Sequence, residues 1–269
     1  MPMPDSPAIA LDTLVRRFGT VTAVDRLTLS VERGRVCGLL GRNGAGKTTV
    51  VKILTTLLPP TSGSARVCGY DVLRSATQVR RLIGYVPQAL SADAELTGYE
   101  NLLVMAKLYD LPPGVRAQRI EEALALMGLE HAAHRLVHTY SGGMIRSLEI
   151  AQSTLHRPTV LFLDEPTVGL DPLARQTVWE HIGRLKDSQS CTILLTTHYM
   201  DEAERLCDEL AILRQGRLVA AGSPAALKRG LGPNATLDEV FAHFTQGEAE
   251  PAGAYDETSR TRHVADRLG

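Results

Sequence analysis

The sequence predicts an α/β fold on a mostly parallel sheet, with a mainly helical subdomain inserted into it. Three observations carry this. Short apolar runs of strand length alternate with helix-patterned segments, the order that parallel strands and crossover helices need. One strand-to-helix junction, Gly41-Arg42-Asn43-Gly44-Ala45-Gly46-Lys47-Thr48-Thr49, fits the phosphate-binding pattern G-x-x-x-x-G-K-[ST]. From Leu96 to about Arg157 the strands stop and helical patterning takes over.

Composition sets the outer bounds. The 269 residues are 44% hydrophobic, enough for one large domain or a domain with a subdomain. A net charge of −1 gives no electrostatic reason to expect nucleic acid or an anionic membrane surface. Cys37, Cys68, Cys191 and Cys207 are far apart and several lie in apolar runs, the pattern of buried thiols in a reducing compartment. Met1 to Ala8 holds three prolines and no basic stretch, so it does not read as a signal peptide. No run approaches 18 apolar residues, so a membrane role is expected through a partner.

In order, Ile9 to Gly19 alternates as a strand and ends in a turn, and Asp25 to Val31 alternates again. Phe18 reads either as a platform for an adenine ring or as an edge-strand aromatic. Arg35 to Leu40 is a buried strand that enters the phosphate loop, and Thr48 to Leu58 is the helix that leaves it. Small residues there let backbone N–H groups curl around phosphate oxygens, Lys47 reaches the outer phosphates, and the Thr48 hydroxyl suits magnesium. A turn cluster at Pro59 to Ser64 precedes a strand at Ala65 to Tyr70, and Leu73 to Arg81 is helical. Ile83 to Gln88 is a further strand, whose terminal Gln88 reads as a ligand for magnesium or water, or as a solvated loop residue.

Thr97 and Glu100 form a capping box for a helix from Asn101 to Asp110, and Val115 to Met127 forms a second helix. His131, His134 and His138 have neither cysteines nor acidic residues grouped with them, so solvated histidines are expected rather than zinc ligands. Ser141-Gly142-Gly143-Met144 precedes a helix from Ile145 to His156 and offers a hydroxyl, bare N–H groups and a helix dipole. That is a second anion cradle or a plain helix cap. Thr159 to Leu163 then delivers Asp164 and Glu165 to a strand end. Asp164 is suited to magnesium there, and Glu165 to orienting and polarising water for in-line attack. A turn through Gly169 and Asp171 leads into a helix from Leu173 to Asp187, and the strand Cys191 to Thr197 delivers His198. A helix from Tyr199 to Cys207 and a strand pair, Glu209–Arg214 and Gly216–Ala220, complete the core pattern. Leu237, Val240, Phe241 and Phe244 recur at helical spacing, to pack on the core or on a second copy, and Gly247 to Gly269 reads as a flexible tail.

Taken together, the phosphate loop, Gln88, Tyr140-Ser141-Gly142-Gly143-Met144, Leu163-Asp164-Glu165-Pro166-Thr167, Gly169-Leu170-Asp171 and His198 resemble, in kind and order, an ATP-binding cassette (ABC) ATPase over about residues 9 to 230. Leu96-Thr97-Gly98-Tyr99-Glu100-Asn101-Leu102, Met144 and Ala235 to Phe241 resemble the daunorubicin/doxorubicin-resistance exporter subfamily. The resemblance implies a P-loop NTPase (RecA-like) core with an N-terminal antiparallel β subdomain. It places the ABC ATPase domain at 1–230, its helical subdomain at about 90–157, and a C-terminal extension at 231–269. Phe18 would stack on adenine, and Gly41 and Asn43 through Thr49 would hold the phosphates of ATP. Thr48, Gln88 and Asp164 would hold Mg2+, Glu165 would be the general base and His198 the γ-phosphate switch. Ser141, Gly142, Gly143 and Met144 would face the ATP of a second copy in a head-to-tail dimer, and Asp171 would communicate between the two sites.

The implied function is ATP hydrolysis that powers efflux, of a drug or other hydrophobic small molecule, through a separate transmembrane permease at the cytoplasmic face of the plasma membrane. A soluble ABC ATPase and a non-catalytic scaffold are the alternatives. Four positions depart from the family's usual pattern: Phe18 where tyrosine is usual, Tyr140 where leucine is commoner, and Ile145 and Ser147 around a lone Arg146 where a basic run is normal.

Overall fold

A computed structural model describes residues 6–189 and 191–245. Its centre is a six-stranded sheet made of β3 (Val36–Leu40), β6 (Ile83–Val86), β7 (Val160–Asp164), β8 (Thr192–Thr197), β9 (Glu209–Arg214) and β10 (Arg217–Gly222), once β1 (Ile9–Phe18), β2 (Val21–Val31), β4 (Ser62–Val67) and β5 (Tyr70–Asp71) are set apart. The order is β10-β9-β3-β8-β7-β6. All pairs are parallel except β9 with β10, which close a hairpin at Gln215-Gly216, both at positive φ. β3, β7 and β8 are buried at every residue, as strands covered on both faces must be.

Strand alternation divides the core in two. Val36 and Leu40 point to one face, with Leu161, Leu163, Ile193 and Leu195, while Cys37 and Leu39 point to the other, with Phe162 and Leu194. The first face carries the helices α3 (Gly98–Leu108), α4 (Pro113–Leu126), α5 (Gly142–Thr154), α6 (Pro172–Gln189), α7 (Met200–Leu206) and α9 (Leu237–Thr245), with α8 (Pro224–Leu231) beside α9. The second carries α1 (Lys47–Leu54), α2 (Ala76–Leu82) and the small antiparallel sheet β2-β1-β4-β5. Each fully buried Leu, Ile or Val contributes about 1.5–3 kcal/mol.

Several boundaries shift for local reasons. The strand expected at Ala65 to Tyr70 is a hairpin, because Cys68 and Gly69 take positive φ and turn the chain between β4 and β5. The helix expected from Leu73 starts at Ala76, because Asp71 accepts hydrogen bonds from the Leu73 and Arg74 N–H groups and holds a turn there. Helix α1 stops at Leu54 rather than Leu58, since Thr56 is left-handed. β2 begins at Val21, with irregular register around Thr13 and Arg26, both at positive φ. The capping box at Thr97 and Glu100 forms as expected. In α9, Leu237 and Val240 are buried against their own chain. The tail from Gly247 to Gly269 lies outside the described residues.

Candidate active site

The carboxyl ends of β3, β8, β7 and β6 lie side by side, which is where open α/β sheets bind ligands. β3 runs into the phosphate loop. The loop folds this tightly because side chains are missing where the backbone closes. A Cβ on Gly41 would stand 2.7 Å from the Ala45 Cβ and 2.9 Å from the Leu213 carbonyl oxygen. One on Gly46, where φ is +101°, would strike the Ala23 carbonyl oxygen. Ala45 is buried, and its carbonyl accepts from Gly216 N–H at the β9–β10 turn, so that hairpin braces the loop. Asn43 and Gly44 are exposed and Thr49 is half-buried in the first turn of α1. Gly46 caps α1 with no side-chain hydrogen bond, which leaves first-turn N–H groups for an anion.

Lys47 is buried. Its Nζ donates to the Gly41 carbonyl at 2.8 Å and lies 3.2 Å from Glu165 Oε1. His198 Nδ1 stands 3.3 Å from Glu165 Oε2, so the carboxylate sits between a lysine and a histidine. Thr48 donates to Asp164 Oδ1 at 3.2 Å, and Thr196 donates to the same oxygen at 2.6 Å. The Glu165 N–H donates to the Thr196 hydroxyl at 3.0 Å, so one threonine orients both carboxylate residues. Glu165 is in the left-handed region, φ +49°, a conformation costing on the order of 1–3 kcal/mol in a residue with a side chain. Behind His198, its ring packs on Tyr199 at 4.3 Å, and the Arg175 guanidinium stacks on Tyr199 at 4.0 Å.

Gln88 follows β6 with its side chain exposed. Its backbone is fixed instead: Arg146 donates to the carbonyls of Pro87 at 2.7 Å and Gln88 at 2.8 Å. Arg146 is buried and pairs with Glu149 at 2.9 Å, and Glu149 also accepts from the Ser91 N–H. Burial pushes the Arg146 guanidinium down and the charges of Glu149 and Asp164 push it back up. Phe18 ends β1 with its ring 46% exposed and the Arg16 guanidinium 4.5 Å from its centroid, so it is an accessible aromatic and not a core one.

Ser141 is exposed and caps α5, its hydroxyl accepting from the Met144 N–H at 3.3 Å. Gly142 and Gly143 lie against the turn that carries Asp171: a Cβ on Gly142 would be 3.2 Å from Leu170, and one on Gly143 2.9 Å from Ala174. Asp171 in turn accepts from the Leu173 and Ala174 N–H groups at 3.0 Å and so starts α6. The Ser141 cradle and the Asp171 turn are therefore one exposed surface. Tyr140 is buried, with its hydroxyl donating to the Ala132 carbonyl at 2.7 Å in space that only glycine at position 98 leaves open. Ser147 reaches His181 Nδ1 at 3.0 Å, a hydrogen bond between α5 and α6.

Nucleotide and metal can be tested against these residues. The loop cradle would be filled by a Cβ at Gly46, a hydroxyl and a carboxylate (Thr48 and Asp164) form a hard oxygen pair, and His198 Nδ1 is buried with no hydrogen-bond partner besides its approach to Glu165. That set fits a nucleoside triphosphate with magnesium. Its chemistry is phosphoryl transfer to water, with Glu165 placed to accept a proton. His131, His134 and His138 fall on exposed positions in and beside two short 3-10 turns, Glu130–Ala132 and Val137–Thr139. Among the described residues no group of three His, Cys, Asp or Glu could hold a metal ion. The four cysteines are buried and free, and burial pushes Cys37 and Cys191 up to about 12. Thr196, Arg146 and Glu149 escape sequence reading. The available signal is a hydroxyl pair, Thr196-Thr197, that ends the apolar run Ile193-Leu194-Leu195, and opposite charges three apart on the inner face of a helix.

Residues 24–168 match the family described as ABC transporter. The daunorubicin/doxorubicin resistance ATP-binding protein DrrA of Streptomyces peucetius is 44% identical over 250 residues, covering 92% of this chain and 76% of that protein. Nod factor export ATP-binding protein I of Ralstonia nicotianae is 43% identical over 222 residues, covering 82% of this chain and 69% of that one. A solved structure of an ATP binding subunit of an ABC transporter superposes with a TM-score of 0.78 at 31% identity, over 88% of this chain and 99% of that chain. That of cbiO1 from Clostridium perfringens, part of the ABC transporter complex cbiONQ, gives 0.77 at 25% identity, over 98% and 96%.

Proposed function

The chain belongs to the ABC transporter family, and from that premise we propose that it is the ATP-hydrolysing subunit of an exporter, driving a separate membrane subunit. No helix among the described residues is long and apolar enough to cross a membrane, so the pore is assigned to that partner, with this chain bound at its cytoplasmic face. The names of its relatives support a drug or other hydrophobic small molecule as cargo. Residues 1–230 act as the ATPase domain, with about 90–157 as its helical subdomain and 231–269 as an extension.

The single observation that carries hydrolysis is Glu165, buried between Lys47 and His198 beside the Thr48–Asp164 pair. Phosphates of ATP compete with Glu165 for Lys47, and their arrival leaves the carboxylate free to take a proton from water attacking in line. Thr48, Asp164 and Gln88 would hold magnesium, which when bound would supply charge neutralisation on the phosphate oxygens. His198 holds Glu165 and contacts the outer phosphate, and Phe18 stacks on adenine, with Arg16 on its ring. Ser141 and Gly142, exposed beside Asp171, with Gly143 and Met144 behind them, serve the ATP of a second copy.

The test is ATPase activity of Glu165→Gln. General-base loss lowers kcat by roughly 10²–10⁴-fold while nucleotide binding persists. Equal rates for wild type and variant would sink the assignment.

A further inference from the structure

Glu202, on α7, is fully buried and touches no residue assigned to ATP. Its Oε1 accepts two hydrogen bonds, from the Thr167 hydroxyl at 2.7 Å and from the Trp179 indole N–H at 2.9 Å. These partners come from different elements. Thr167 lies in the turn that leaves Glu165, where the Val168 N–H donates to the Glu165 carbonyl and the Leu170 N–H to that of Thr167. Trp179 lies on α6, which follows directly on Asp171, and Glu202 stands in the first turn of α7, four residues after His198. One oxygen thus joins the segments behind the base, the communicating aspartate and the histidine.

A buried carboxylate is costly to keep, so an arrangement of this kind is retained for what it fixes and not for what it stabilises. Its Oε2 is buried without a hydrogen bond, as is Nε of nearby Arg175. Burial pushes the Glu202 carboxyl above the usual range, against the lowering influence of Thr197, Thr167, Trp179 and Arg175 in that order. The segment it anchors also needs anchoring, because Glu165 must be held at positive φ.

We propose that Glu202 is a positioning residue for ATP hydrolysis, which locks the Glu165–Thr167 turn against the helices that follow Asp171 and His198. The proposal rests on the ATPase reading above. A base displaced by about 1 Å loses on the order of a hundredfold in rate, so a loosened turn acts on turnover and leaves the phosphate loop intact.

The experiment compares Thr167→Val, which removes a donor at nearly constant shape, with Thr167→Ser, which restores it. Thr167→Val lowers kcat at least roughly tenfold with KM for ATP within about threefold, and Thr167→Ser recovers most of the loss. Glu202→Gln, which keeps an acceptor oxygen, retains activity, whereas Glu202→Leu loses it. Trp179 is the sole tryptophan of the chain, so its fluorescence reads this junction directly. Magnesium-ATP shifts its emission in wild type, and Thr167→Val abolishes the shift. Wild-type kcat in Thr167→Val, no recovery in Thr167→Ser, or an unresponsive Trp179 overturns the proposal. Glu165→Gln is assayed alongside. If it turns over normally, the reading beneath fails and this one falls with it; if it is dead while Thr167→Val is normal, only the positioning role is lost.

Discussion

Burial of His181 at the contact between α5 and α6 makes folding sensitive to acid. Its ring is held neutral by loss of solvent first, then by the positive charge of Arg184, against the opposing influence of Glu180. Ser147 of α5 meets its Nδ1, and Gly128, at the end of α4, lies beside Nε2. His156 is similar: burial lowers it, a hydrogen bond with the Ile83 carbonyl raises it, and it stacks on Tyr109 at 4.0 Å. Both folded-state values lie below the ordinary 6.5. As pH falls through 6.5 the unfolded chain therefore takes up protons that the folded chain refuses. Stability is complete above that value and declines below it, by up to about 1.4 kcal/mol per pH unit for each histidine. Urea midpoints between pH 7.5 and 5.5 fall in the wild type, and His181→Leu has a visibly shallower slope. An unchanged slope would mean that His181 protonates freely in the fold.

At the scale of elements, the pair Arg146–Glu149 ties the start of α5 to the segment leaving β6, through the carbonyls of Pro87 and Gln88 and through Ser91. It also explains the departures around it. Arg146 turns inward to this task, Ile145 packs partly buried on the core, and Ser147 is matched to His181, so a run of exposed cations is not what this helix start requires. Removing one member of a buried ion pair strands the other, at a cost of about 3–5 kcal/mol, whereas removing both costs less. Arg146→Met is thus expected to unfold at distinctly lower urea than Arg146→Met/Glu149→Met, although it carries fewer changes. A double variant that is less stable than the single would show that Glu149 is not stranded and stabilises the fold through Ser91 without Arg146. Such tethers mark the limit of what the sequence discloses. Lys47, Thr48, Asp164 and Glu165 are legible because each stands in its own motif, the first two at a helix start and the last two at a strand end, and the capping box at Thr97 is legible because both its partners are local. Thr196, Arg146 and Glu202 act across strand and helix pairs distant in sequence, and no local pattern reports the partner. Element types were readable for the same reason, and β4–β5 was misjudged because two residues in the left-handed region turn a continuous-looking run.

For the whole molecule, the issue is where the second cradle points. Within one copy the β3–α1 loop closes on Glu165, Asp164 and His198, all at the carboxyl ends of adjacent strands. Ser141 belongs to a different region, exposed with Gly142 at the start of a helix that packs against the Asp171 turn. An exposed hydroxyl and a helix N-terminus with bare glycine backbone in one place offer donors that suit an anion. The proposed head-to-tail pair of copies would use both: each Ser141 cradle would cover the phosphate loop of its partner, and the adjoining Asp171 turns would meet at the seam. Closure of that proposed pair would require two nucleotides, and hydrolysis at either site would weaken the seam, which would give a membrane subunit something to follow. On this picture Ser141→Ala removes a contact made only in the closed pair. Binding of ATP to the isolated chain stays within about threefold of wild type, because Lys47 and the loop are untouched, while turnover in the complete transporter falls at least roughly tenfold, the rate worth of one hydrogen bond to a charged oxygen in a dry site. Nucleotide titration and ATPase rates on the same preparation separate the two quantities. Normal turnover by Ser141→Ala in the assembled transporter would show that the cradle serves as a helix cap alone.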